Sequence, residues 1–264
     1  MLRKLLKYDL KYMIKNMLVF YILSIFFAIT TRIFFSLKDS VMINIIRQIS
    51  LGFMFSMIAN TLINTMMRSW IRFRDSLYKD EAYLTHTLPV TKEELYNSKF
   101  IQTLIFFTLS FMIILFCLFI AYYSKENWNA ITNFIETITI GLNMNTLFFV
   151  FMFIIIVFLE VFNAIQCGFL GMILGYRKDN GKLAYSIFFG FISYLTVQII
   201  VLSLIFVYGL FNSSIMELFK TATVNIDVGA FKLLAVISSI LYLIIIFVMS
   251  ILCKKVLNKG VNIE

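Results

Sequence analysis

The sequence predicts an all-α polytopic membrane protein with six transmembrane helices. Three observations carry that prediction. Hydrophobic residues make up 61% of the 264-residue chain, which leaves too few polar side chains to coat a water-soluble core. The apolar residues gather into six runs, near 17–37, 45–67, 99–123, 145–174, 183–211 and 231–253, each long enough for the ~20 residues that a helix needs to cross hydrocarbon. The cations between those runs fall mostly on one side of the membrane that the runs define. No soluble domain remains once the runs are removed, so residues 1–264 read as one transmembrane domain.

The N-terminal 16 residues come first. At 100° per residue Lys4, Lys7, Lys11 and Lys15 share one face, while Leu2, Leu6, Leu10, Met13 and Met17 share the other. This pattern predicts an amphipathic helix lying in the inner interface. Asp9 falls on the apolar flank and breaks it. Either a neighbouring lysine neutralises Asp9, or Asp9 forms an ion pair that pins this helix to the rest of the chain. The run from Met17 to Leu37 is too long for a signal peptide and has no small-residue cleavage site, so it reads as a retained first crossing. Arg32 and Arg47 bracket an outer loop at 38–44 and read as headgroup anchors.

Residues 68–98, between the second and third crossings, form the longest polar interruption and hold the single proline, Pro89, and the single histidine, His86. Thr91 and Glu94 fit a capping box, so the third crossing begins as a polar helix. Asp80 is placed to cap a short helix through Glu81, Ala82, Tyr83, Leu84 and Thr85. Tyr83 and Leu84 then lie side by side, with Thr87 and Leu88 one turn on. The stretch reads either as a docking peg for a soluble partner or as a compact solvated loop, with His86 a solvated residue within it.

Residues 124–144 contain Trp128, Phe134, Ile135, Ile138 and Ile140 between polar residues, which suits a short re-entrant or interfacial helix on the outer side. The fourth and fifth runs exceed one crossing and either tilt or continue past the membrane. Glu160 stands alone in the fourth, flanked by Ile154 to Leu159 and Val161, with Asn163 three residues on and Cys167 seven on. A carboxylate at that depth costs about 2.5–3.5 kcal/mol, so it faces protein or water. It reads as part of a substrate path or an inter-subunit bond, or as a packing bond to Ser193 or Gln198 on the fifth helix. Gly168, Gly171 and Gly175 allow close helix approach. Residues 212–230 show no periodicity.

Orientation follows from the cations near the crossings. Arg3, Lys4, Lys7, Lys11 and Lys15, then Arg68, Arg72, Arg74, Lys79, Lys92 and Lys99, then Arg177, Lys178 and Lys182, and finally Lys254, Lys255 and Lys259 lie on one side. Both termini and the 68–98 stretch are therefore expected in the cytoplasm. The net charge of +9 follows from that bias and from anionic lipid at the inner surface, with no need of a nucleic-acid partner. Cys117, Cys167 and Cys253 sit singly in apolar runs and suit neither a disulfide framework nor a metal cluster. Gly181-Lys182 lacks the preceding glycine of a phosphate-binding loop. No catalytic constellation is seen, so the chain is not expected to be an enzyme by itself.

Three strings carry a family resemblance. Leu5-Leu6-Lys7-Tyr8-Asp9-Leu10-Lys11, the stretch from Arg68 through Asp80-Glu81-Ala82-Tyr83-Leu84-Thr85-His86-Thr87-Leu88-Pro89-Val90, and Ser98-Lys99 resemble the small bacterial permease subunits of ABC-2-type exporters. There the same places read close to LLKYE(F/L)K, DEGYLxxTLPV and SK. Ala82 stands here where that family has glycine. The resemblance covers the whole chain and implies a multi-pass protein of the bacterial plasma membrane, with both ends inside. It implies pairing with a second permease, identical or related, and docking of a separate cytosolic ATPase that binds ATP and Mg; the chain itself then needs no cofactor. It places a coupling helix within Asp80 to Leu88, with Glu81, Tyr83, Leu84, Thr85, Thr87 and Pro89 among the docking positions. The cargo it suggests is an amphipathic or antimicrobial peptide, or a lipophilic compound, with Glu160 and Asn163 as candidate path residues. Two other readings stand beside this one. One is a proton-coupled secondary transporter working through Glu160, although no internal repeat supports it. The other is a non-transporting immunity or sensor subunit that sequesters a peptide.

Overall fold

Long apolar stretches without proline fold as helices because hydrocarbon offers no partner for a free backbone amide or carbonyl. The computed structural model describes residues 2–79, 81–123, 125–141, 145–212, 216 and 228–260. Among them are eight helices and no strand: α1 (Leu2–Ser36), α2 (Val41–Leu77), α3 (Ala82–Thr87), α4 (Lys92–Tyr122), α5 (Lys125–Gly141), α6 (Thr146–Gly175), α7 (Lys182–Phe211) and α8 (Val228–Asn258). Six of these, all but α3 and α5, are long and apolar enough to cross a membrane.

The boundaries differ from the sequence expectation in two places, and the helix expected within 124–144 is present. Residues 2–16 are not a separate interfacial helix. They run unbroken into the first span as α1, since nothing between Lys15 and Leu18 breaks a helix. Residues 68–77 are not loop but the last turns of α2, so the stretch between spans is mostly helical. The 124–144 segment holds a helix of 17 residues, α5. Of 212–230, residues 213–215 and 217–227 lie outside the described residues.

The chain divides into two units, each with its own packing. In the first, residues 1–128, α1 lies against α2 and α4. The apolar face of its early turns is covered by protein. Met13 and Met17 pack on Phe106 of α4, with Leu10, Phe20 and Tyr21 around them, while Lys4, Lys7, Lys11 and Lys15 stay exposed. Farther along, hydroxyl pairs join the helices. Ser24 meets Thr61 at 2.7 Å, Thr31 meets Ser50 at 2.7 Å, and Ser110 takes both Tyr21 and Thr65 at 2.7 Å. Lipid tails are as apolar as leucine, so helices in a bilayer associate through close packing and such bonds. Arg47, expected from sequence as an anchor at the outer loop, bonds extensively to the turn itself. It staples the α1–α2 turn, donating to the Phe34 and Leu37 carbonyls and to Asp39 and Asn44.

In the second unit, residues 129–262, α6 packs against α7 and α8. The α6–α7 crossing depends on glycine. A Cβ on Gly171 would overlap the Gly190 backbone, and one on Gly175 would overlap Ser186. Gly190 itself is less confined, the nearest atom to its Cβ position being the Cys167 carbonyl oxygen at 3.5 Å. Leu159, Val197, Val201, Tyr242 and Met249 form the apolar core of this unit. Arg177 caps the end of α8 by donating to the Val256 carbonyl at 2.6 Å. All three cysteines are buried thiols outside any disulfide.

Candidate functional site

Asp9 is the centre of a charged cluster inside the first unit. Its side chain is buried. Oδ1 accepts from Arg72 Nε of α2 at 2.9 Å and from Lys99 Nζ of α4 at 2.5 Å, and Oδ2 accepts from Ser98 Oγ at 2.7 Å. Arg72 continues outward. Its Nη1 donates to both oxygens of Glu81, at 2.8 and 2.7 Å, and its guanidinium lies 4.7 Å from the centre of the Tyr12 ring. Two anions and two cations from three long helices and the start of α3 thus share one site with no net charge. Asp9, Arg72 and Lys99 are desolvated, whereas Glu81 is half-exposed, and for the three buried ions only complete pairing makes burial tolerable. Lys99 has Asp9 as its acceptor among the described residues.

The α1 stripe explains how Asp9 arrives there. It sits one turn before Met13 on the face that packs against α4. On α2 the residues Thr61, Thr65, Ser69, Arg72 and Ser76 recur every three or four positions, and all are buried. Arg72 is the one long member of a small polar stripe. The capping box at Thr91 and Glu94 is formed in both directions at 3.2 Å. It starts α4 seven residues before Ser98, so Ser98 and Lys99 leave the helix on the inward face.

Helix α3 is mounted on this cluster. Six residues do not hold a helix in isolation, so external ties must do so. Glu81 at its start is clamped by Arg72. Its backbone N–H donates to Asp75 O at 3.2 Å, and that of Ala82 to Lys79 O at 2.7 Å. Ala82 is fully buried against the mount. His86 is not a solvated residue but hydrogen-bonds the Leu77 carbonyl through Nε2 at 3.1 Å, tying the far end of α3 to the end of α2. Tyr83, Leu84 and Leu88 point outward, with Tyr83 65% and Leu84 72% exposed. Thr87 and Pro89 are exposed as well, and Thr85 is half-buried. Asp80, read from sequence as the cap, lies outside the described residues. Glu81 occupies the cap position but makes no side-chain bond to the helix, because its carboxylate is committed to Arg72.

No family model, curated protein or solved structure matches the chain. The second unit holds the other predicted residues, Glu160 and Asn163, both on α6. Glu160 Oε1 accepts from Tyr194 Oη at 3.4 Å and from Gln198 Nε2 at 3.5 Å, both of α7. Gln198 in turn accepts from Tyr242 Oη of α8 at 3.2 Å. Of the packing partners expected from sequence, Gln198 is present; Ser193 instead bonds its own helix at Phe189 O. Asn163 is fully buried, and its Nδ2 has no partner among the described residues; the same holds for both ends of the Gln166 amide. Sequence reasoning singled out Asp9 and Glu160, and Lys99 only as part of the Ser98-Lys99 string with no role in a charged cluster; it missed Arg72 and Tyr242, which look like an ordinary juxtamembrane cation and an ordinary aromatic.

Proposed function

We propose that the chain is the transmembrane permease subunit of an ATP-driven exporter of the ABC-2 type. In this reading it sits in a bacterial plasma membrane with both termini inside and pairs with a second permease. A separate cytosolic ATPase supplies ATP and Mg chemistry, and the cargo is an amphipathic peptide or lipophilic compound. The observation that carries the reading is the mounting of α3: a short helix with an outward apolar pair, Tyr83 and Leu84, seated on ion pairs that reach α1, α2 and α4.

A motor that closes on ATP needs something to grip and a stiff path from that grip to the spans. Tyr83 and Leu84 offer the grip. Force applied there passes through Glu81 to Arg72 and from Arg72 to Asp9, where α1 and α4 meet. Charge-assisted bonds in which one guanidinium bridges two carboxylates fix geometry as well as energy, so such a joint transmits displacement instead of absorbing it. An isolated solvated loop has no use for a mount built on three buried charges.

The test is co-purification in mild detergent with the soluble ATPase from the producing cells. Leu84→Arg places a charge in the outward apolar pair. Because Leu84 is 72% exposed, folding of the permease is expected to survive while ATPase pairing is lost. An ATPase that stays bound to a folded Leu84→Arg protein removes α3 from the docking role.

A further inference from the structure

Glu160 occupies the middle of α6. Fourteen residues separate it from Thr146 and fifteen from Gly175, so at ~1.5 Å per residue it lies about 21 Å from one end and about 22 Å from the other. A span of that length centred on the ~30 Å hydrocarbon layer puts this carboxylate close to its midplane. The ion pairs of the described residues join Asp9, Asp39, Asp75 and Glu81 to Arg47, Arg72, Arg74 and Lys99; none reaches Glu160.

What surrounds Glu160 is polar but uncharged: Tyr194 and Gln198 from α7, and Tyr242 behind Gln198 from α8. Their donors converge on Oε1 alone, and at 3.4 and 3.5 Å both bonds are long. Oε2 receives no donor from the described residues. Glu160 itself is half-buried; one turn along α6, Asn163 Nδ2 is fully buried without an acceptor among the described residues. Packing alone would favour closing these bonds or replacing the acid with an apolar residue. Among the described residues, the arrangement instead holds the acid by one oxygen and offers the other no donor.

We propose that Glu160 Oε2 is the binding site for a hydrogen-bonding organic cation, a primary ammonium carried on an apolar chain. Tyr194 and Gln198 orient the carboxylate, the ammonium supplies the missing charge and donates to Oε2, and the apolar tail lies along the hydrocarbon-facing residues of the same helices. A primary ammonium satisfies both requirements, charge and donors. A quaternary ammonium supplies only charge, and an alcohol only a donor. The inference rests on the permease reading for calling the bound molecule cargo. The binding site itself does not need an ATPase, so failure of ATPase docking and failure of cation binding are separate results.

The test is equilibrium binding of tritiated dodecylamine to the full chain in lipid nanodiscs, with partition into empty discs subtracted. Saturable binding is expected, weakened about tenfold or more by the isosteric Glu160→Gln. Glu160→Asp, which keeps the charge, is expected to retain part of it. Unlabelled dodecylamine should displace the probe, while dodecanol and dodecyltrimethylammonium should compete poorly. Three results overturn the proposal: no saturable binding to the wild-type chain, equal binding by Glu160→Gln, or displacement by sodium chloride at constant ionic strength, which would mark an inorganic cation site. A circular-dichroism melt of each variant in the same discs separates lost binding from lost fold.

Discussion

Replacing Asp9 with asparagine keeps the shape of the side chain and removes its charge, so Asp9→Asn isolates the electrostatics of the buried network. Ser98 can still donate to the amide oxygen, and Arg72 keeps its bidentate contact with Glu81. Lys99 keeps nothing comparable. Its side chain is 6% exposed and Asp9 is its ion-pair partner, so the substitution strands a desolvated ammonium. Breaking a buried pair from one side costs about 3–5 kcal/mol, because the uncompensated charge remains buried. Lys99→Met, which preserves length and removes charge, is expected to cost less, about 2–3 kcal/mol, since Asp9 retains Arg72 and Ser98. In the double variant both charges leave together, and the total should fall short of the sum by about 2–3 kcal/mol. Reversible unfolding in mixed micelles of increasing dodecyl sulfate content, followed by helical circular dichroism, measures all three. Losses that add to within about 0.5 kcal/mol would refute the coupling and with it the view of this site as one network.

Other expectations follow from the same packing. Gly171→Ala forces its methyl into the Gly190 backbone and is expected to lower stability in the same micelle assay by about 1–3 kcal/mol. Gly190→Ala, with ordinary contact distances around its Cβ, should cost no more than the usual helix repacking, and equal losses at the two sites would contradict the asymmetric crossing. Thr91→Ala removes the capping box that starts α4 and should cost about 0.5–2 kcal/mol, read in the same titration and as faster amide exchange in the first turn of α4. Glu81→Gln breaks a half-exposed pair, Glu81 being 47% exposed, so global stability should change by about 1 kcal/mol or less. Amide exchange across α3 should nevertheless accelerate, since the helix loses its clamp; unchanged exchange would mean that His86 and Ala82 hold α3 unaided.

Much of the candidate site was legible because its signals are local. The Thr91–Glu94 box spans four residues, and its sequence pattern and geometry coincide. The short helix ahead of it was expected a residue or two early, since Glu81 looked like part of the helix while its carboxylate actually serves Arg72. Asp9 was visible as an anomaly on an apolar stripe. Its partners were not, since they lie 63 and 90 residues away, and no local rule picks Arg72 and Lys99 from the other cations of the same side. His86 gives no local sign of its partner for the same reason: the carbonyl that holds it belongs to Leu77 at the end of α2, where the sequence pattern alone suggests loop.

Composition and periodicity by themselves determined that this chain is helical, that it holds six helices long and apolar enough to cross hydrocarbon, and which face of each early turn is apolar. They do so because a bilayer leaves the backbone no alternative to helix. Only tertiary structure decided what each apolar face meets. The stripe from Leu10 to Met17 suits lipid as well as protein, and it is Phe106 that covers it. Periodicity reports the direction of a side chain, whereas the cost of burying Asp9 depends on which charges arrive beside it once three distant helices have packed.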